Sequence, residues 1–186
     1  MAYNGTYING RKIQGVVYNG VNLNGIARNG QIVFKANRIP AIVNINVGSQ
    51  AQGAVATASS YLNASASSRY PAPNSNDANT TTYWQSNKSP TTSAPEWLQI
   101  TFNHLATINQ YYGSYGGTTR PTDYTLQYLD SGGNWVTFDT VVGNTSNTVT
   151  VNVQPITTTA VRWHVTKAQS SSVGCRILDI SLKYVI

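Results

Sequence analysis

Residues 70–97 read YPAPNSNDANTTTYWQSNKSPTTSAPEW, and the reading of this stretch decides the fold. Pro71, Pro73, Pro90 and Pro95 exclude a continuous helix or a central strand, because proline fixes φ and has no amide hydrogen to donate. Asn, Asp, Ser and Thr fill the gaps. Their short side chains bond to nearby backbone and favour turns. A long irregular segment inside a compact domain is functional or disordered. Tyr83, Trp84 and Trp97 argue for order, since such side chains bury large areas and pin a loop down. The stretch is expected to be an ordered loop region carried by a scaffold.

The flanks supply a β-scaffold. Ile42, Asn44 and Asn46 alternate with Val43, Ile45 and Val47, which predicts a strand. Leu98, Ile100 and Phe102 share one face, with Gln99 and Thr101 on the other. Tyr124, Leu126 and Tyr128 alternate likewise, and Ser131-Gly132-Gly133-Asn134 makes a turn into Trp135. Val149, Val151 and Val153, then Val161, Trp163 and Val165, mark two more strands. The last, from Ile177 to Val185, sets Leu178, Ile180, Leu182 and Tyr184 on one side. No stretch holds an apolar period near 3.6. The pattern predicts an all-β fold, an antiparallel sandwich or jelly roll.

Residues 1–36 are different in kind. Glycine recurs every fifth residue from Gly5 to Gly30, and five of the six are preceded by Asn. Asn-Gly is the strongest short signal for a two-residue hairpin turn. The segment reads as a β-hairpin-rich arm of very short strands that buries little apolar surface alone. It is expected to dock on a partner or to form a homo-oligomer. Asn37-Arg-Ile-Pro-Ala41 is the linker, and residues 42–186 are the main domain.

Composition narrows the function. Of 186 residues 40% are hydrophobic and only 10% charged, with a net charge of +6; about a quarter charged is ordinary. A surface covered by Asn, Thr, Ser, Gln and Gly suits neutral polar partners, sugars among them. The 12 Lys and Arg are scattered, which argues against nucleic acid. No apolar run could insert into a membrane, and MAYNGTYING is not a signal peptide. The single Cys175 permits no intrachain disulfide and reads as a small buried hydrophobe. Six acidic residues offer no paired carboxylates, and there is no Gly-x-Ser-x-Gly elbow, so no enzyme is expected. His104, His164 and Cys175 lack zinc-ligand spacing.

Several motifs occur in order: Ala58-Ser59-Ser60, Asn76-Asp77 leading to Thr82-Tyr83-Trp84, Trp97-Leu98-Gln99-Ile100, Asp123 to Trp135, Ala160 to Val165, and Ile177-Leu-Asp-Ile180. Residues 42–186 thereby resemble the discoidin, or coagulation-factor type C, domain, whose bacterial relatives are galactose-binding-like carbohydrate modules. The resemblance implies an eight-stranded jelly roll without catalytic activity. It departs from the family at Thr101-Phe102-Asn103, at Asp77-Ala78 and at Asp179. The N-terminal repeat resembles segments of bacteriophage tail and virion proteins.

The resemblance also implies sites. A structural Ca²⁺ would sit in the loop before Thr82, held by Asp77 and Asp179 with oxygens from Asn74, Asn79 and Thr82. These hard oxygens suit an ion that takes about six to eight of them. In the family, loops at one end of the sandwich bind sugar; here they are Tyr61 to Tyr70, Tyr112 to Pro121 and Lys167 to Arg176. Tyr70, Tyr112 and Tyr115 are candidate stacking platforms, and Arg69, Arg120 and Arg176 candidate donors. Each tyrosine can equally be a partly buried loop anchor. Trp84, Trp97, Trp135 and Trp163 are assigned to core or loop support. The expected function is a non-catalytic phage virion protein, a tail fibre, baseplate or head fibre. Its jelly roll would bind cell-surface glycan while the arm joins other virion proteins. The alternative is a purely structural capsid-decoration or tail component.

Overall fold

The structure, a computed structural model, describes residues 6–8, 11–13, 16–18, 21–23, 25–28, 31–34, 44–65 and 68–186. The chain divides into two compact units, Met1–Ala41 and Ile42–Ile186.

In the first unit, β1 (Thr6–Ile8) pairs with β2 (Arg11–Ile13), β3 (Val16–Tyr18) with β4 (Val21–Leu23), and β5 (Gly25–Arg28) with β6 (Gln31–Phe34). All three pairs are antiparallel. The registers Ile8↔Arg11, Tyr18↔Val21 and Arg28↔Gln31 each leave two residues between partners, in sequence Asn9-Gly10, Asn19-Gly20 and Asn29-Gly30. The hairpins thus recur every ten residues, twice the glycine spacing. Of the Asn-Gly dipeptides in the arm, Gly25 alone is among the described residues, as the first residue of β5; the linker 37–41 lies outside them.

The second unit contains β7 (Val55–Ala58), β8 (Asn63–Ser65), β9 (Ser68–Arg69), β10 (Trp84–Gln85), β11 (Glu96–Tyr115), β12 (Pro121–Leu129), β13 (Trp135–Val141), β14 (Thr148–Ala168) and β15 (Arg176–Lys183). β8 and β9 form a separate small hairpin. β11 and β14, of 20 and 21 residues, form one antiparallel ribbon from Glu96↔Val165 to Ser114↔Thr148. Laid straight, such a ribbon would span roughly 65 Å. Register breaks between Thr101 and Ala106 and between Ile108 and Gln110 bend it. Its two halves then stack face to face: the Tyr111 and Trp163 rings meet edge-on at 6.1 Å, although Tyr111 pairs with Val151 and Trp163 with Leu98.

The bent ribbon belongs to two layers. The front layer runs β7–β11–β14–β12–β13, using the Glu96 end of β11. The back layer runs β14–β11–β15–β10, using the Tyr115 end. This is the expected all-β antiparallel sandwich. Leu98, Ile100, Leu126, Val161, Trp163 and Val165 from the front meet Ile108, Tyr111, Ile180 and Leu182 from the back, all buried. Three core hydroxyls are placed in pairs: Tyr111 Oη donates to Asp139 Oδ2 (2.6 Å), Tyr115 Oη to Tyr124 Oη (3.1 Å), and Trp163 Nε1 to Tyr115 Oη (3.3 Å). Burial raises the Tyr111, Tyr115 and Tyr124 phenols above their ordinary range. Cys175 is fully buried, as read from the sequence, and burial pushes its thiol up to about 12.

Two expectations are corrected. Residues 44–49 form turns, not a strand. In β15, Ile177 is buried and Leu178 only partly so; a register shift opposite Ser114 and Tyr115 rotates the strand there.

Candidate functional site

Strand directions bring five connections to one end of the sandwich: 59–70, 86–95, 116–120, 142–147 and 169–175. Backbone and side-chain bonds tie them. Gln169 N donates to Arg120 O (3.0 Å), Ser89 Oγ to Ser170 O (2.9 Å), Tyr115 N to Asn147 O (2.7 Å), and Leu62 N to Gln85 O (2.8 Å). The tightest crossing is at Gly174. A β-carbon there would lie 1.8 Å from the Ser86 carbonyl oxygen, so only glycine lets these segments touch. Ser86 N donates to Cys175 O (3.0 Å) and Cys175 N to Ser86 Oγ (2.9 Å), locking the crossing.

That lock positions Arg176. Its Nε donates to Oε1 of buried Gln85 (2.8 Å), and its Cζ lies 4.7 Å from the Tyr83 ring centre. Tyr83 also stacks on Tyr70, with ring centres 4.5 Å apart and planes within 10°. Burial, and then the Tyr70 hydroxyl, raise the Tyr83 phenol above its ordinary range, against the pull of Arg176. The result is a guanidinium held over the Tyr83 ring, with Nε fixed, beside the Tyr70–Tyr83 stack. Such a group offers a planar fork of donors to adjacent hydroxyls or a carboxylate.

Of the sequence candidates, Tyr70 and Arg176 come together, joined by Tyr83, which was read only as a loop pin. Arg69 is exposed at the end of β9, next in sequence to Tyr70. Three candidates do not join. Tyr115 is only 2% exposed and belongs to the core, because β11 continues through it and no loop begins at Tyr112. Tyr112 lies within β11, opposite Ser181 and Thr150, half-buried and alternating with inward Tyr111. Arg120 spends its guanidinium on loop structure: Nη1 donates to Gly117 O (2.8 Å) and Asn147 Oδ1 (3.0 Å).

A second constellation lies on the same 70–85 stretch. Asp77 Oδ1 accepts from Asn79 N (3.0 Å) and Oδ2 from Thr82 Oγ1 (2.8 Å); Thr82 Oγ1 also reaches Asn79 O (2.8 Å). Asn74 Nδ2 donates to Tyr83 O (3.3 Å). Asp179 faces this loop. Its Oδ1 is buried without a hydrogen-bond partner, and burial, reinforced by Asp77, raises its carboxyl above the usual range. The tryptophans divide: Trp84 and Trp163 are core, as expected, but Trp97 and Trp135 lie half-buried on the outer face of the front layer.

With this geometry in place, comparison with known proteins is direct. Residues 55–179 match the model of the F5/8 type C domain. The chain belongs to this family. No curated protein matches it. Among solved structures, this F5/8 type C domain is similar to chitosan-binding module 1 of a chitosanase/glucanase from Paenibacillus sp. IK-5. Identity is 23%, covering 74% of this chain and 98% of that one, with a TM-score of 0.63. It is also similar to the family 32 carbohydrate-binding module of Streptococcus pneumoniae EndoD (17%, covering 75% and 99%, TM-score 0.61). A third is the family 32 module of C. perfringens NanJ in complex with galactose (15%, covering 69% and 92%, TM-score 0.59). These likenesses show the fold.

The Asp77–Asp179 pair of the F5/8 type C domain fits the hard cation that the sequence suggested. Among the described residues no three His, Cys, Asp or Glu side chains converge on a metal position, so two carboxylates must be completed by neutral oxygens. Asn74, Asn79 and Thr82 supply such oxygens within the same loop. The orphaned Asp179 Oδ1 is the observation that favours an ion there over a turn alone.

Proposed function

We propose that this F5/8 type C domain is a non-catalytic glycan-binding module of a phage virion protein, displayed in several copies through its N-terminal arm. The observation that carries the reading is the Arg176 fork, held by Gln85 against Tyr83 at the end of the sandwich where five loops meet. Sugar recognition needs a few fixed polar groups beside an aromatic surface, and the cluster of Tyr70, Tyr83 and Arg176 has both. The solved neighbours include a chitosan-binding module and a module in complex with galactose, which supports the same class of ligand.

The arm supports display. Among the described residues its strands are three or four residues long and pair two by two, too little sheet for independent stability. Single-site affinity on the order of millimolar, ordinary for a small polar patch, becomes useful when many copies engage one surface. We assign Asp77 and Asp179, with Asn74, Asn79 and Thr82, to a structural Ca²⁺ that neutralises the paired carboxylates and stiffens the 70–85 stretch beneath Tyr83.

A glycan array probed with the full chain on a multivalent carrier tests the reading. Binding to defined glycans, lost on Arg176→Gln, is expected. An array blank for the multivalent wild type overturns the adhesive role. The mass in solution of the full chain against residues 42–186 tests the arm: an oligomer that becomes a monomer on truncation supports display, and two monomers refute self-assembly.

A further inference from the structure

The outer face of the front layer carries a row of side chains that the loop-end reading does not use. The registers Thr57↔Gln99, Gln99↔Arg162, Arg162↔Gln127 and Gln127↔Thr137 align five polar residues across all five strands. At normal strand spacing this row is roughly 19 Å long. One step along lie Trp97 and His164, themselves a cross-strand pair, with Thr125 beyond.

Arg162 sits mid-row. Its Nε donates to Gln127 Oε1 (2.6 Å), and its Cζ lies 4.4 Å from the Trp135 ring centre. Nε is its one hydrogen-bonded nitrogen among the described residues, so the two Nη groups remain open. No carboxylate competes for them. The four acidic residues in or beside the front-layer strands are all engaged elsewhere. Glu96 accepts from Ser59 and Ser60 hydroxyls, Asp123 from Gly143 N, Asp130 from Gly132 and Asn134 N, and Asp139 from Tyr111 Oη. The face therefore carries an uncompensated cation and is bordered by two half-buried indoles.

We propose that this face is a second glycan site, distinct from the loop end, and that it takes a chain of carboxylated sugars. Arg162 receives the carboxylate through its two open Nη groups. Trp97 meets the apolar side of a ring, and Gln99 and His164 bond flanking hydroxyls. Charge complementarity selects the occupant. A planar fork with Nε already fixed matches a carboxylate in two parallel bonds, and a polar row running across five strands suits an extended chain where a loop pocket suits a terminal sugar.

The test uses the full chain and tetragalacturonate, with its fully methyl-esterified form as the neutral control. Binding is followed by tryptophan fluorescence and calorimetry in 50 mM salt. The expected result is binding of the acid, at least tenfold weaker binding of the ester, and at least tenfold loss on Arg162→Gln. Lys167→Gln, which removes the same charge from exposed β14 surface, should change affinity less than twofold. Arg162→Lys, which keeps charge and not the fork, should lose most of the affinity. Thermal unfolding verifies that each variant is folded. Equal losses for Arg162→Gln and Lys167→Gln reduce the effect to general electrostatics and overturn the site, as does no binding of the acid by wild type. Loss on Arg176→Gln instead returns the ligand to the loop end. Because the site is separate, a blank neutral-glycan array with intact uronate binding sinks the loop-end function and leaves this one.

Discussion

Arg176 and Arg162 are held by the same device in two different places. Each gives its Nε to a glutamine Oε1, Gln85 at 2.8 Å and Gln127 at 2.6 Å, and each lays its guanidinium on an aromatic ring, Tyr83 at 4.7 Å and Trp135 at 4.4 Å. What differs is the support. Arg176 depends on two segments crossing at Gly174 and Ser86, whereas Arg162 depends only on strand register. Arg120 is a third case that shows the contrast, since its Nη1 is consumed by loop acceptors. An arginine held by Nε and a ring keeps its fork for a ligand; one held by its Nη atoms has become structure.

The sharpest way to separate the two supports is Gly174→Ala. The added carbon meets backbone oxygen at 1.8 Å, so something must move. We expect a loss of about 3 kcal/mol in denaturant unfolding, at the upper end of overpacking costs. The surviving folded protein should bind carboxylated sugar normally and neutral glycan poorly. A loss under about 0.5 kcal/mol would show that the crossing is looser than described and that the two supports do not differ.

Next in size is the carboxylate pair beneath the loop cluster. Asp179 has its folded-state pKa raised. A raised acid means that the native state holds more protons than the unfolded one just above the ordinary carboxyl value, so stability falls as pH rises through that window. With chelator present, Asp179→Asn should therefore stabilise at pH 7, by less than about 1 kcal/mol after solvent screening, by removing a carboxylate whose charged form burial and Asp77 disfavour. Ca²⁺ should raise the melting temperature of wild type and leave Asp179→Asn unmoved. If Ca²⁺ shifts neither, the loop cluster has no ion brace and stands on packing alone, like the sheet face.

A smaller effect tests the device itself. Gln85→Leu should weaken neutral-glycan binding about fivefold, on the order of 1 kcal/mol, without touching uronate binding. Gln127→Leu should do the reverse. Loss of both ligands from either variant would mean that the two arginines do not serve separate sites.

The strands were legible wherever the alternation ran unbroken: Leu98, Ile100 and Phe102, or Val161, Trp163 and Val165, face the core as their spacing demanded. From Asn44 to Val47 the expected alternation failed because asparagine chemistry overrode it. Asn44 adopts φ 61°, and Asn46 Oδ1 accepts from Gly48 N and Leu182 N, tying a turn to β15. Tyr112 and Tyr115 were misplaced because β11 crosses two bulges, which break the alternation on which its length could be judged. The Arg–Gln–aromatic supports were out of reach for another reason. Gln85 and Arg176 are 91 residues apart, and Gln127 and Arg162 are 35 apart. Trp97 and Trp135 read as core or loop support because their residue type so often is; only the register shows them facing out.

The smallest effect distinguishes the two places by pH. Burial first, and then Arg162, lower the His164 pKa from its ordinary value. Arg162 shares its strand, Trp97 and Thr125 lie beside it on β11 and β12, and no carboxylate faces it. A lowered base binds fewer protons folded than unfolded, so its contribution is intact above about 6.5 and is lost as pH falls below that toward the folded value. The ring is partly open to solvent, so the loss is held under about 1 kcal/mol. Urea unfolding from pH 7 to 5.5 should show it, and His164→Asn should abolish it. Below that window, as pH falls through the folded pKa, a uronate stays ionised while a second cation forms beside Arg162. Affinity for the carboxylated chain should rise only once pH falls through the folded His164 pKa, whereas neutral-glycan binding at Arg176, which has no titrating histidine beside it, should stay flat. Uronate affinity that ignores pH would place His164 outside the site and leave Arg162 to hold the carboxylate alone.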